Sequence, residues 1–562
     1  MLAVLLWVLA AAPPAIFTNV TPASGLESAV QTVGRADKDY ISDTIGTGIA
    51  AFDMDNDGWQ DLYLANGSRL GGYPPGQEPH PYLFRNKGGN TFEDVTRDSG
   101  VDQAFWGSGV AVGDYDNDGL TDLYVTAYGP NHLYRNLGGG RFQDVSGPAG
   151  VDAESWGASA SFVDIDLDGD LDLFVTTYVD FDPREIPPRG DPNHPCMYRG
   201  FMVMCGPTGL KGEPDILYRN NGDGTFSNVT SAAGIRTDVG LFGLGVAVGD
   251  YDADADPDLY VANDATPNQL YRNRGDGTFE EVAAMSGAAY GVDGTEAGSM
   301  GTAFGDYDGD GALDLVITNF SHQSYQLLRQ SEGLFFEDVS YTTGIYAATF
   351  LFLGWATDFF DYDHDGWLDL FFLNGHVYPG VDAMQIGSTY RQTNHLMHNV
   401  AGPDGLRTYE DVSSRAGPDF AAARSHRAGG AFDSDRDGDL DLVAGVMDEG
   451  PVLLRNDAGT AGGSWLQVRP VGSAANRSGI GVRLEAQVKG RRLVRYTGAS
   501  SFLWGADPRA HFGLGDARKV DSLEVIWPGG RRQTVRNLAA NTAWVLVEGR
   551  DPVPDVPQGA AR

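Results

Sequence analysis

Residues 53–66 read DMDNDGWQDLYLAN. From Asp53 to Asp61 carboxylates alternate with other residues, a glycine sits at the bend, and a short apolar strand follows without a break. The pattern returns at Asp114, Asp164, Asp250, Asp306, Asp361 and Asp433, at spacings of 50 to 86 residues. A single loop of this kind is a weak signal. Seven copies predict a repeat array organised around divalent cations.

Working outward, each copy sits in a fixed order of elements. A strand of small residues comes first, such as GTGIAAF from Gly46 or GVAVG from Gly109 and Gly245. The Asp loop follows, then a second strand such as DLYLAN (Asp61), DLYVTA (Asp122) or DLFFLN (Asp369). After a variable loop come LFRN (Leu83), LYRN (Leu133, Leu217, Leu270), LLRQ (Leu327), LMHN (Leu396) or LLRN (Leu453). A Gly-rich turn leads into a fourth strand, as in FEDVT (Phe92) or FQDVS (Phe142). Four short antiparallel strands per unit describe a propeller blade. The last unit stops after Leu453 without a fourth strand, and FTNVT at Phe17–Thr21 supplies one from the other end of the chain. The expected fold is therefore all-β: a seven-bladed β-propeller over 16–460, closed by strand 17–21, which removes a free sheet edge. A small β-sandwich-like domain follows over 464–549, where WLQVRPV (Trp465) and DSLEVIW (Asp521) alternate like half-buried strands. The Pro-rich tail 550–562 is expected to be flexible.

Positions 1, 3, 5 and 9 of the loops supply the expected metal ligands. These are Asp53, Asp55, Asp57 and Asp61; Asp114, Asp116, Asp118 and Asp122; Asp164, Asp166, Asp168 and Asp172; and Asp250, Asp252, Asp254 and Asp258. The last three loops give Asp306, Asp308, Asp310 and Asp314; Asp361, Asp363, Asp365 and Asp369; and Asp433, Asp435, Asp437 and Asp441. Hard oxygen donors on a flexible turn suit Ca²⁺, while Mg²⁺ favours a rigid octahedron and its own waters. Up to seven structural calcium ions are expected. These are not EF-hands: position 12 is Leu64, Val125, Val175, Val261, Ile317, Phe372 or Ala444 rather than Glu. Solvated Asp-Gly turns without metal are disfavoured, because converging carboxylates repel. The fourth loop is the weakest copy, with Ala255 in place of Gly and Pro257 after it.

Net charge is −38, yet residues 464–562 hold 15 Lys and Arg against 8 Asp and Glu, a net +7 that leaves −45 for the rest. An acidic body argues against a nucleic-acid partner. Leu2 to Ala12 form an apolar run of signal-peptide length, so 1–15 is expected to be a signal peptide and the mature chain secreted, extracellular or periplasmic, without a transmembrane segment. Cys196 and Cys205 are the only cysteines; in an oxidising compartment they close a small loop, the alternative being two separate buried thiols.

The units resemble the FG-GAP/VCBS repeats of integrin α-subunit propellers, and more closely the cartilage acidic protein-like family. The resemblance rests on the acidic loops, the LYRNNGDGTF-type hairpins and NGHVYP from Asn374. It continues through NRSGIG (Asn476–Gly481), DPRAHFGLG (Asp507–Gly515) and VIWPGG (Val525–Gly530), which look like an ASPIC/UnbV domain. It spans roughly residues 16–549 and implies a secreted calcium-binding propeller without a well-defined catalytic activity. Ser434 and Arg436 depart from the usual intervening residues of the seventh loop.

The strand order places the Asp loops at one end of every blade. The opposite face is expected to carry Trp106, Trp156, Phe242, His322, His376, Tyr378, Arg424 and His426, with the insertion Asp180–Pro214. Aromatics beside polar groups suit a glycan, a matrix component or a protein; the competing reading is that Trp106, Trp156 and Trp355 only pack between blades. His395 and His398 lie in LMHN and are not expected to act as a transition-metal pair. The leading functional expectation is a calcium-stabilised recognition module. The alternative is a lyase, hydrolase or cyclase with a site in the axial pocket, since propellers host many activities.

Overall fold

The computed structural model describes residues 16–557 apart from 239, 332–333, 403–404, 459–462 and 499–500, so the apolar N-terminal run and residues 558–562 lie outside it. Each Asp loop turns one strand back on the next. Gly107–Gly113 enters the second loop and Asp122–Pro130 leaves it, paired antiparallel with Gly113 opposite Asp122. His132–Asn136 and then Phe142–Asp144 add on outside. Equivalent sets form around the other loops, and the seventh, His426–Phe432, Asp441–Val446 and Val452–Asn456, is completed by Phe17–Asn19, with Phe17 opposite Asn456. The innermost strands touch their successors in chain order from Ile49–Phe52 round to His426–Phe432, which in turn touches Ile49–Phe52. The array is a closed β-propeller.

The outermost strands are shorter than the sequence pattern expects. In FEDVT, Asp94 Oδ1 accepts from both the N–H and the hydroxyl of Thr96 (3.0 and 2.6 Å), and the chain turns into the helical turn Thr96–Ser99. The local side-chain bond competes with the ladder and ends it.

Two devices tie neighbours together. In three second strands a threonine bridges two bulged inner strands: Thr126 Oγ1 accepts the Gly109 N–H (2.7 Å) and donates to Ala158 O (2.6 Å). Thr176 and Thr318 do the same with Ser159 and Leu244, and with Gly301 and Trp355. The second device is the terminal amide of the third-strand motif. Asn136 Nδ2 donates to Thr121 O in its own loop (2.8 Å) and to Met54 O in the preceding one (2.9 Å). Asn220, Asn273, Gln330, Asn399 and Asn456 reach Tyr115 O, Ile165 O, Tyr251 O, Tyr307 O and Tyr362 O in the same way. Asn86 closes the circle on Ser434 O (2.8 Å). Buried carbonyls that no ladder reaches are thereby satisfied.

The C-terminal domain pairs two four-stranded sheets around Leu466, Leu484, Phe512, Leu523, Val525 and Trp527. The tail expected to be flexible is anchored as far as it is described. Val553–Pro554 pairs with Thr542–Val547, and the Asp555 carboxylate meets Arg509 (3.4 Å) and Arg436 (3.8 Å).

Candidate metal loops and the opposite face

Position 1 of each loop is buried because it follows directly from an inner strand, and position 9 is buried because it opens the second strand; positions 3 and 5 stay at least partly exposed. The nine-residue turn is folded by its own carboxylates. Asp114 Oδ2 accepts the Gly119 N–H (2.8 Å), and Asp53, Asp164, Asp250, Asp361 and Asp433 bind the N–H of position 6 in the same way. Position 4 takes a left-handed conformation, with φ of 57° at Asn56 and 62° at His364. Position 6 is also left-handed, with φ of 93° at Gly119 and 75° at Ala255, so the fourth loop keeps the shared path at the cost of strain.

The ninth aspartate has a role that the ligand pattern did not show. Asp122 Oδ2 accepts the Tyr115 N–H (3.1 Å) at position 2, while Oδ1 accepts the Asn136 N–H (2.7 Å) on the third strand. Asp61, Asp172, Asp258, Asp314, Asp369 and Asp441 make the same pair of bonds. It clamps the loop to its own sheet.

The remaining oxygens fit a hard cation. One oxygen each of Asp53, Asp55 and Asp57 lies within 4.8 Å of the others, as do oxygens of Asp114, Asp116 and Asp122, of Asp164, Asp166 and Asp172, and of Asp250, Asp252 and Asp254. Buried carboxylate oxygens without a hydrogen-bond partner recur there: Oδ1 of Asp55, Asp114, Asp164, Asp166, Asp252, Asp361, Asp433 and Asp435. Burial, then neighbouring carboxylates, push the acids up, to about 6 at Asp53 and Asp306, about 7 at Asp164 and Asp250, and about 8 at Asp433. Partnerless, mutually repelling oxygens on a fixed turn are what a bound divalent ion satisfies.

The C-terminal domain covers this face. Ser478 Oγ accepts the Asp114 N–H (2.8 Å), the Gly513 N–H reaches Asp361 Oδ2 (3.0 Å), and the Gly529 N–H reaches Ala255 O (3.0 Å). Arg492 and Arg491 donate to Asp310 O (2.6 Å) and Asp365 O (3.1 Å). The basic balance of the domain thus faces the acidic end of the propeller. Trp504–Ala506 pairs parallel with Ile49–Ala51, and Phe502, Leu503 and Trp504 are buried in the axial core. A cavity of about 180 Å³ remains beneath the domain, walled in part by Asp306, Asp358, Asp361, Asp433, Arg495 and Arg509.

At the other end the axis is also filled. Ile41, Ile45, Phe181, Ile186 and Met204, from the N-terminal segment and the insertion, join Trp156, Phe242 and Trp355 in the same core. Arg427 is buried with its guanidinium 4.1 Å over Trp355, donating to Thr44 O and His426 O (2.7 Å each). Of the residues expected on a ligand face, Trp156, Phe242, His376 and His426 are therefore interior. Burial holds both of these histidines down to about 3. Trp106, His322, Tyr378 and Arg424 remain partly exposed. Ser321 Oγ lies 3.1 Å from His376 Nε2, but Nδ1 accepts the Tyr378 N–H (3.1 Å), so Nε2 carries the proton. That is the reverse of what a serine nucleophile needs from its base.

Cys196 and Cys205 are bonded, with Cα atoms 5.2 Å apart. The disulfide staples the hairpin Met197–Tyr198/Phe201–Met202, which leaves Met197 and Met202 54% exposed and Phe201 40% exposed. Tyr198 roots it on the propeller, 5.4 Å from the Tyr378 ring and 3.2 Å from Ser321 Oγ. Among the described residues no helix is long and apolar enough to cross a membrane.

Comparison with known proteins agrees with this architecture. The FG-GAP-like repeat matches residues 53–125, 114–175, 208–261, 250–317 and 306–372, and ASPIC and UnbV matches 472–553. Cartilage acidic protein 1 of Xenopus tropicalis is 31% identical over 313 residues, covering 54% of this chain and 44% of that protein. The Homo sapiens protein of the same name is 29% identical over 335 residues, covering 58% and 47%. The chain therefore spans about half the length of these relatives. Among solved structures, a lectin of Agrocybe aegerita that recognises non-reducing terminal N-acetylglucosamine covers 74% of this chain and 92% of its own, at 16% identity and a TM-score of 0.36. The chain belongs to the FG-GAP-like repeat family, as a cartilage acidic protein-like propeller carrying an ASPIC and UnbV domain.

Proposed function

We propose that the chain is a secreted, calcium-stabilised recognition module that binds a glycan, matrix or protein ligand on the face opposite its Asp loops. The observation that carries this reading is the asymmetry of the two faces. The loop face is occupied by the chain's own C-terminal domain, whereas the other presents a disulfide-stapled apolar hairpin whose Tyr198 packs against Tyr378, with His322 and Arg424 partly exposed elsewhere among the residues expected on that face. Exposed Met and Phe on a braced hairpin offer contact area at low ordering cost. Calcium, held by positions 1, 3 and 5 with position 9 behind them, is structural: it crosslinks each hairpin and neutralises the acidic end against which the basic domain rests. The disulfide supports an oxidising location.

Arrays of glycans and of matrix proteins, probed with the full chain in calcium, test the binding reading. The variant Met197→Ser/Phe201→Ser/Met202→Ser is expected to lose any specific signal while melting as the parent does. Binding that survives this variant, or that needs the loop face, would contradict the assignment.

A further inference from the structure

The third strand of every unit carries a residue beside its Asp loop. In six units it is arginine: Arg85, Arg135, Arg219, Arg272, Arg329 and Arg455. Arg85 Nε sits 2.9 Å from Asp55, and Arg135 Nε 2.6 Å from Asp116. A guanidinium there balances charge but cannot ligate a metal. The sixth unit alone has His398. Its Nδ1 lies 3.1 Å from Asp369 Oδ1 and 3.7 Å from Asp363 Oδ2. One ligand atom each of Asp363, Asp369 and His398 falls within 4.8 Å of the others. The imidazole is packed edge-on against Tyr362, ring centroids 5.6 Å apart.

A second feature of this loop points to a ligand. Asp361 is 1% exposed, its Oδ2 accepts the N–H groups of Gly366 and Gly513 (2.9 and 3.0 Å), and its Oδ1 is buried without a partner. Arg495 lies 3.9 Å from the other oxygen, Oδ2, and leaves Oδ1 unpaired. Two carboxylates and one imidazole within reach of a shared ion, with the partnerless Asp361 oxygen in the same loop, form a mixed oxygen and nitrogen donor set. Calcium takes oxygen almost alone. Imidazole suits Zn²⁺, Fe²⁺ and Co²⁺, and affinity of such a site rises along the first-row series.

We infer that the loop at Asp361, completed by His398, binds a first-row transition-metal dication in preference to calcium, unlike the six loops faced by arginine. This inference rests on the reading of the loops as metal sites, and the test separates the two. The metal-stripped full chain is equilibrated with excess Ca²⁺ and then titrated with Co²⁺, following visible d–d absorption for cobalt and elemental analysis for both metals. The wild type is expected to retain a single Co²⁺ per chain against the calcium excess, with the remaining loops holding Ca²⁺. Both His398→Arg, which installs the residue of the other six units, and His398→Gln, which removes the ligand without adding charge, are expected to lose the cobalt band and keep the calcium. Cobalt retained by His398→Gln, or no cobalt taken up by a wild type that binds calcium, would overturn the inference. Uptake of neither metal would instead remove the reading of the loops on which it stands.

Discussion

At the residue scale, one alanine and one amide test how the loops are built. Ala255 holds φ of 75° where six loops have glycine, a conformation that costs a residue with a Cβ about 1–2 kcal/mol. Ala255→Gly is expected to stabilise the chain by about that amount in chemical denaturation and to tighten calcium at the fourth loop. Asn136→Ala removes the bonds from its third strand to Met54 O and Thr121 O, and is expected to cost about 1–3 kcal/mol per carbonyl left without a donor. The acids set a pH dependence. In the metal-free chain Asp53 and Asp306 titrate near 6 and Asp164 and Asp250 near 7, above their unfolded value of about 4. The folded form then holds more protons than the unfolded one, so metal-free stability falls as pH rises from about 4 to about 7. Denaturation curves in chelator across that range check the sign; calcium is expected to reverse it. The aspartates were legible from spacing alone. The amide was not, because its partner carbonyl lies in the preceding unit, and no local pattern in LYRN marks that contact.

At the scale of elements, ring closure depends on three residues. Phe17–Asn19 covers the edge of Val452–Asn456, and Phe17, 2% exposed, stacks 5.7 Å from Phe420. Phe17→Ala is expected to destabilise by about 3–5 kcal/mol, as for other buried aromatics. Deletion of residues 16–20 is expected to expose the edge and produce self-association, read by light scattering. The pairing of chain ends could be argued beforehand because the last unit lacks a strand and the first residues read like one. The aromatics of the opposite face were misplaced for a physical reason. Trp156 lies near the start of its inner strand and Phe242 just before one, but residues 26–45 and the stapled insertion fold over them and make them core. A repeat pattern says where a loop emerges and nothing of what an insertion from another unit covers.

At the scale of the whole molecule, the C-terminal domain is part of the propeller rather than an appendage. Its segment Phe502–Ala506 enters the axis and adds a strand to the first blade, and its arginines lie on the Asp-loop face. The +7 and −45 of the two parts are plain in the sequence, but neither the docking nor its register was read from them. Phe502→Ala together with Trp504→Ala is expected to release the domain and raise the radius of gyration in solution scattering, with the loops still able to bind calcium. The account as a whole turns on the loops being filled. The most direct measurement is the thermal unfolding of the metal-stripped full chain by calorimetry, in chelator and in saturating calcium. Each ion at one hundred times its dissociation constant contributes about 2.7 kcal/mol, so a large upward shift that grows with calcium concentration is expected. Coincident melting in chelator and in calcium would contradict it.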